Sequence, residues 1–265
     1  MHLRPPRFRS LSAVLGLFIG STIALSLPWL WPDAPANAVE IGILFTLLGW
    51  VAVEQFAAEI DRAVVARRHW LLAVVGVLPF VALLVTRALT GSTSSGEIVL
   101  HASLFGMVAF VAFAACSSRY ATIRLQTESI RGNVVGVKSR LYDLPLTMAS
   151  SAIGMFVLHL LLPGTFSLDF LSGSVVGSLI GAVIGAALVG NHTVELVALD
   201  DGLVIASDGR GGGSFVPWRR IRGVRLDGDT LRVARGLPWP MVYEADLSSA
   251  VHPDTVVHEF RSRVH

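Results

Sequence analysis

Charge is scarce in this chain. Of its 265 residues only 15% are Asp, Glu, Lys or Arg, while 53% are hydrophobic and the mean hydropathy is +0.64. A soluble domain carries about a quarter charged residues, so the composition excludes that class and fits an integral membrane protein. Cysteine is nearly absent too. The single Cys116 cannot close an internal disulfide, and at the end of an apolar run it reads as packing.

Reaction signatures are lacking as well. There is no His/Cys metal spacing, no G-x-S-x-G turn and no glycine loop leading into a lysine. Gly211-Gly-Gly213 is not followed by the helix that anion binding needs. Asp227-Gly-Asp229 reads as a hairpin turn, because no further oxygen ligands follow it. The expectation is a non-enzyme with no metal and no cofactor. A sequence pI of about 9.1 raises the question of a nucleic-acid partner. Residues 1–190 hold 12 Lys/Arg against 9 Asp/Glu, and residues 191–265 hold 9 against 10. The excess positive charge therefore belongs to membrane loops, and no nucleic acid is implied.

What is present is a series of long apolar runs. Six spans read out at about 11–30, 41–57, 70–87, 98–116, 144–163 and 171–190, forming three hairpins. Each is long enough to cross roughly 30 Å of hydrocarbon. Ala36-Asn37-Ala38 also offers a small-x-small cleavage site, so residues 1–38 have a second reading as a signal peptide; in both readings Val39 starts outside. The inner segments carry eleven basic residues: Arg4, Arg7, Arg9, Arg62, Arg67, Arg68, Arg119, Arg124, Arg131, Lys138 and Arg140. The outer ones carry only Arg87. The positive-inside rule then puts both termini in the cytoplasm of a multi-pass protein of the cell membrane.

The inner loop 117–143 has Tyr120, Ile123, Thr127, Ile130, Val134, Val137 and Leu141 at helical spacing. It reads as an amphipathic helix on the inner leaflet or as an extension of span four, with a break at Gly132 or Gly136. In the last span Gly173, Gly177, Gly181 and Gly185 fall four apart, each followed by Ser or Ala, a glycine-zipper face for close helix packing. Intramembrane polar residues are costly and face bundle interiors. Arg87, His101 and His159 fall near outer span ends, where they would line a shallow vestibule, and Glu54 lies near the inner end of span two.

From His192 the period changes to that of strands. Segments 193–199, 203–206, 215–218, 221–226, 231–234 and 241–247 read as six short strands, and Pro253–Val264 as a closing helix. The order of these elements, with Val216-Pro217-Trp218 and Ile221 between them, resembles the prokaryotic pleckstrin-homology-like (PH-like) domains attached to membrane helices. The resemblance covers about 191–265. It implies a cytoplasmic antiparallel β domain of seven strands with a C-terminal helix, and a binding or assembly role. Arg222 and Arg232 share one sheet face and are the candidate lipid-headgroup contacts, against ordinary pairing with Asp227, Asp229 and Glu244.

Two functional classes follow. The first is a non-enzymatic membrane protein presenting the PH-like domain at the inner leaflet for assembly, scaffolding or regulation. Its partners would be membrane lipid and either further copies of itself or another membrane protein. The alternative is a channel or transporter with the glycine helix as a packing or pore-lining element, in a layout that resembles small mechanosensitive channels.

Overall fold

The computed structural model describes residues 9–30, 38–91, 96–139, 148, 177, 180–181, 193–207, 213–237, 240–248 and 253–263. The described chain divides after Tyr120 into two compact units.

The first unit is helical: α1 (Ser10–Leu30), α2 (Ala38–Gln55), α3 (Ala57–Val65), α4 (Trp70–Thr90) and the body of α5 (Gly96–Thr127). Three of these helices are long and apolar enough to cross a membrane, at Ser10–Leu27, Trp70–Thr90 and Gly96–Thr127, and a fourth crossing is available if α2 and α3 count as one bent span. Their apolar side chains point outward. Leu44, Leu47, Leu71, Val74, Leu78, Met107 and Phe110 are all exposed, and only 6% of the α4 span is buried.

What holds these helices together is glycine. Gly16 and Gly20 lie one turn apart on α1, and a Cβ on Gly16 would stand 2.7 Å from both the Thr46 carbonyl oxygen and the Trp50 nitrogen of α2. A Cβ on Gly20 would run into the Gly42 carbonyl and the Thr46 side chain. The two backbones touch, as in small-xxx-small pairing. The α4–α5 pair repeats the device, where a Cβ on Gly76 would sit 2.9 Å from that of Ala109 and one on Gly106 2.6 Å from the Phe80 ring.

The second expected span, read over 41–57, falls on α2. Helix α2 ends at Gln55, and after Phe56 the axis turns by 79° into α3. The cause is composition. Residues 57–65 are amphipathic rather than uniformly apolar, with Val64 buried and Glu59 and Arg62 exposed, so this turn of helix seats one face on the unit. Of spans 144–163 and 171–190, only Met148, Gly177, Ile180 and Gly181 are described, all helical; the rest lies outside the described residues.

The second unit is a seven-stranded antiparallel sheet: β1 (Gly132–Lys138), β2 (Thr193–Ala198), β3 (Gly202–Ser207), β4 (Gly213–Pro217), β5 (Ile221–Asp227), β6 (Thr230–Arg235) and β7 (Met241–Asp246). The order β4-β3-β2-β1-β7-β6-β5 joins two meanders through β1 and β7. Six strands fall where the sequence predicts them. The seventh, β1, was not expected: α5 extends span four as far as Thr127, one of the two readings of 117–143, but Gly132–Lys138 is strand and not helix. The glycines that weaken a helix there are what the strand requires. A Cβ on Gly136 would stand 2.7 Å from the Glu244 carbonyl oxygen, so β1 meets β7 only with glycine at that point. The sheet therefore begins well before residue 191.

One face of the sheet encloses the main core, closed by helix α6 (Pro253–Arg261), whose Phe260 is fully buried. Trp218, in a 3-10 turn between β4 and β5, meets the Phe260 ring edge-on at 6.2 Å, and its Nε1 donates to the Leu199 carbonyl at 3.0 Å. The opposite face of β2 and β3 is apolar as well. Val197, Leu199 and Val204 are covered there by Ala121, Leu125 and Phe215, so the end of α5 is part of the β unit. The turn between β5 and β6 is the predicted hairpin, two residues long, with Gly228 at φ 60 in its first position.

Candidate functional site

Glu54 is buried at the C-terminal end of α2, where its Oε1 accepts the backbone N–H of Arg9 at 3.1 Å. The carboxylate thus caps the N-terminus of α1, where a negative charge is favoured. Arg87, half-buried in the last turn of α4, has a buried Nη1 without a hydrogen-bond partner among the described residues. His101 Nδ1 lies 2.8 Å from the carbonyl oxygen of Glu97 on its own helix. No hydrogen bond joins Arg87 to His101, and His159 lies outside the described residues. Gly177 and Gly181 are helical and exposed, with no atom of a described residue within 4 Å of a Cβ built on either. Gly173 and Gly185 are not described.

In the β unit Arg222 and Arg232 both point away from the core. Arg232 pairs with Asp227 at 3.0 Å and with Glu244 at 3.3 Å, while Arg222 packs where a Cβ on Gly236 would meet it. Exposed pairs of this kind contribute about 0–1 kcal/mol; they do occupy the guanidinium.

Two clusters that spacing did not show are built by the fold. The first lies in the helical unit around the α3–α4 turn. Asp61 and Arg119 form a two-pronged pair at 2.7 and 2.9 Å. Beside them the guanidinium of Arg67 lies 5.5 Å from the Tyr120 ring centre, and its Nη2 donates to the Tyr120 hydroxyl at 3.3 Å. Arg67 has φ 58. Its N–H bonds the Val64 carbonyl and that of Arg68 the Ala63 carbonyl, the bonding that usually ends a helix on glycine. A side chain in that conformation costs about 1–2 kcal/mol. His69 is buried against Phe113 and Tyr120, at 5.8 and 6.0 Å. Burial lowers its pKa, opposed by a hydrogen bond to the Val64 backbone and reinforced by Arg67. Trp70, half exposed, packs edge-on against Phe113 at 5.0 Å.

The second cluster is the β2–β3 turn, Asp200 and Asp201. Asp200 pairs with Arg131 at 2.9 Å and Arg263 at 3.3 Å, and Asp201 with Arg124 at 2.7 Å. This turn fastens the α5 end, the lead into β1 and the end of α6. The Arg131 hydrogen bond is the main reason the Asp200 carboxyl is held below the usual carboxylate range. Asp200, Trp218, Ser262 and Arg263 line a shallow, open depression. Its groups are already paired, and nothing in it is placed as a nucleophile or base. Among the described residues no three His, Cys, Asp or Glu side chains gather to hold a metal.

Comparison with family models, with curated proteins and with solved structures finds no match to this chain.

Proposed function

We propose that this chain is a non-enzymatic multi-pass membrane protein that presents a PH-like domain at the inner leaflet for assembly, scaffolding or regulation. The observation that carries the reading is the pairing of β1 with β2. Val137 lies opposite Thr193, so the stretch 140–192 leaves the sheet and returns to it at neighbouring positions. An excursion that starts and ends at one place makes an even number of crossings, which supports spans five and six as one hairpin. It ties the β domain to the bilayer on both sides of that stretch, holding it close beneath the surface. The many exposed apolar side chains of α2, α4 and α5 support the membrane assignment, since a soluble monomer seldom leaves so much apolar surface to water. Seven strands with a core-closing C-terminal helix agree with the count the PH-like resemblance implies.

Cysteine labelling tests the topology. In a Cys116→Ala background, an impermeant maleimide is expected to label Thr90→Cys on intact cells and Ser248→Cys only after lysis; the reverse pattern overturns the reading. Mass measurement of the purified protein and bilayer recording test the function. A monomer or dimer without conductance is expected, whereas a larger ring that passes ions replaces the display role with the channel.

A further inference from the structure

We infer that the α3–α4 turn is a binding site for the headgroup of an anionic phospholipid, held by Arg67 and Arg68; the inference rests on the membrane reading above. Each neighbouring cation is already committed, Arg62 to Glu59 and Arg119 to Asp61. Arg67 and Arg68 are exposed and pair with no carboxylate among the described residues. His69, next in the chain, is buried, and that burial lowers its pKa, so the exposed charge of the turn belongs to the two arginines.

Arg67 stands where the backbone favours glycine, and its guanidinium is steadied over the Tyr120 ring, which fixes the cation in place before a ligand arrives. The depth also fits. The turn immediately precedes α4, a helix long and apolar enough to cross a membrane, and the half-exposed Trp70 begins that helix as an interfacial ring would. Guanidinium forks suit phosphate oxygens, and the adjacent indole suits the glycerol and upper acyl region. A free phosphate would satisfy the arginines but leave the exposed Trp70 and Leu71 without a partner. Arg232, in contrast, is held by two carboxylates.

The test uses the full chain in nanodiscs of equal phosphatidylglycerol and phosphatidylcholine, with the lipid retained after extraction counted by native mass spectrometry. Wild type is expected to keep phosphatidylglycerol preferentially. Arg67→Gly with Arg68→Gln is expected to lower that preference by about fivefold per arginine, with glycine relieving the backbone. Arg222→Gln with Arg232→Gln is expected to leave it unchanged. Arg68→Gln alone, on an exposed side chain, is expected to lose one step and decides the matter if the double variant does not fold. Equal retention by wild type and Arg68→Gln overturns the site. Displacement of the lipid by inorganic phosphate at matched ionic strength overturns the lipid assignment in favour of a soluble phosphate. Extraction of the chain by alkaline carbonate overturns the membrane reading, and the site with it.

Discussion

A single hydrogen separates the α1–α2 hairpin from a clash. A side chain at Gly16 meets the Thr46 carbonyl and the Trp50 nitrogen, which are backbone and cannot turn aside. We expect Gly16→Leu to destabilise the helical unit by about 1–3 kcal/mol or more, the range for overpacking. Ile43→Leu, on the exposed side of α2, should be neutral; chemical unfolding in detergent compares the two. At His69 the expected effect depends on pH. Burial holds the folded-state pKa below the ordinary value of about 6.5, so below that pH the unfolded chain binds the extra proton. The stability His69 provides is complete above pH 6.5 and declines as pH falls towards its lowered pKa. His69→Gln should flatten the fall in unfolding midpoint between about pH 7 and 5. Neither residue stood out in the sequence. Gly16 and Gly20 lie in a run whose glycines are less regular than those of 173–185, and His69 owes its burial to Phe113 and Tyr120, over forty residues away.

Elements were legible where their own residues carry the pattern. Strands β2 to β7 and helix α6 follow from alternation, turn residues and a Pro-Asp start, and the fold places them there. The irregularities in that alternation were the unread signal. Val197 sits where a polar residue is expected in a half-buried strand, and Leu203–Ala206 is apolar without a break, as in strands covered on both faces. The second cover is the end of α5, which only the three-dimensional pairing reveals. We expect Phe260→Ala to cost the β unit about 3–5 kcal/mol, since it is fully buried between Trp218 and β1. Ala121→Glu should be comparably damaging, because it places a charge against Val197, Leu199 and Val204. Hydrogen exchange of β2 and β3 separates the two variants. Loss of the α5 cover opens the outer face first, whereas loss of Phe260 opens the strands around α6.

At the scale of the molecule, the boundary at about residue 191 followed the change from helical to strand period, and that change is real. What the period does not report is that β1 lies more than fifty residues upstream, separated from β2 by two apolar stretches. A seven-residue strand holding two glycines carries too little alternation to announce itself next to a helix. The sheet closes only with it, because β1 stands between β2 and β7 and gives Val134 to the core. Residues 191–265 expressed alone therefore lack the central strand, leave the inner edges of β2 and β7 unpaired and expose Val197 and Leu199. We expect that fragment to aggregate or to give the collapsed amide spectrum of an unfolded chain. Residues 121–139 joined by a short Gly-Ser linker to 193–265 should instead fold to a soluble monomer with dispersed amide resonances. Because Val137 lies opposite Thr193, the linker has only a strand-to-strand gap to bridge. If the fragment from 191 folds by itself, β1 is dispensable, and the proposal that the sheet ties the domain to a membrane on both sides of 140–192 loses its support.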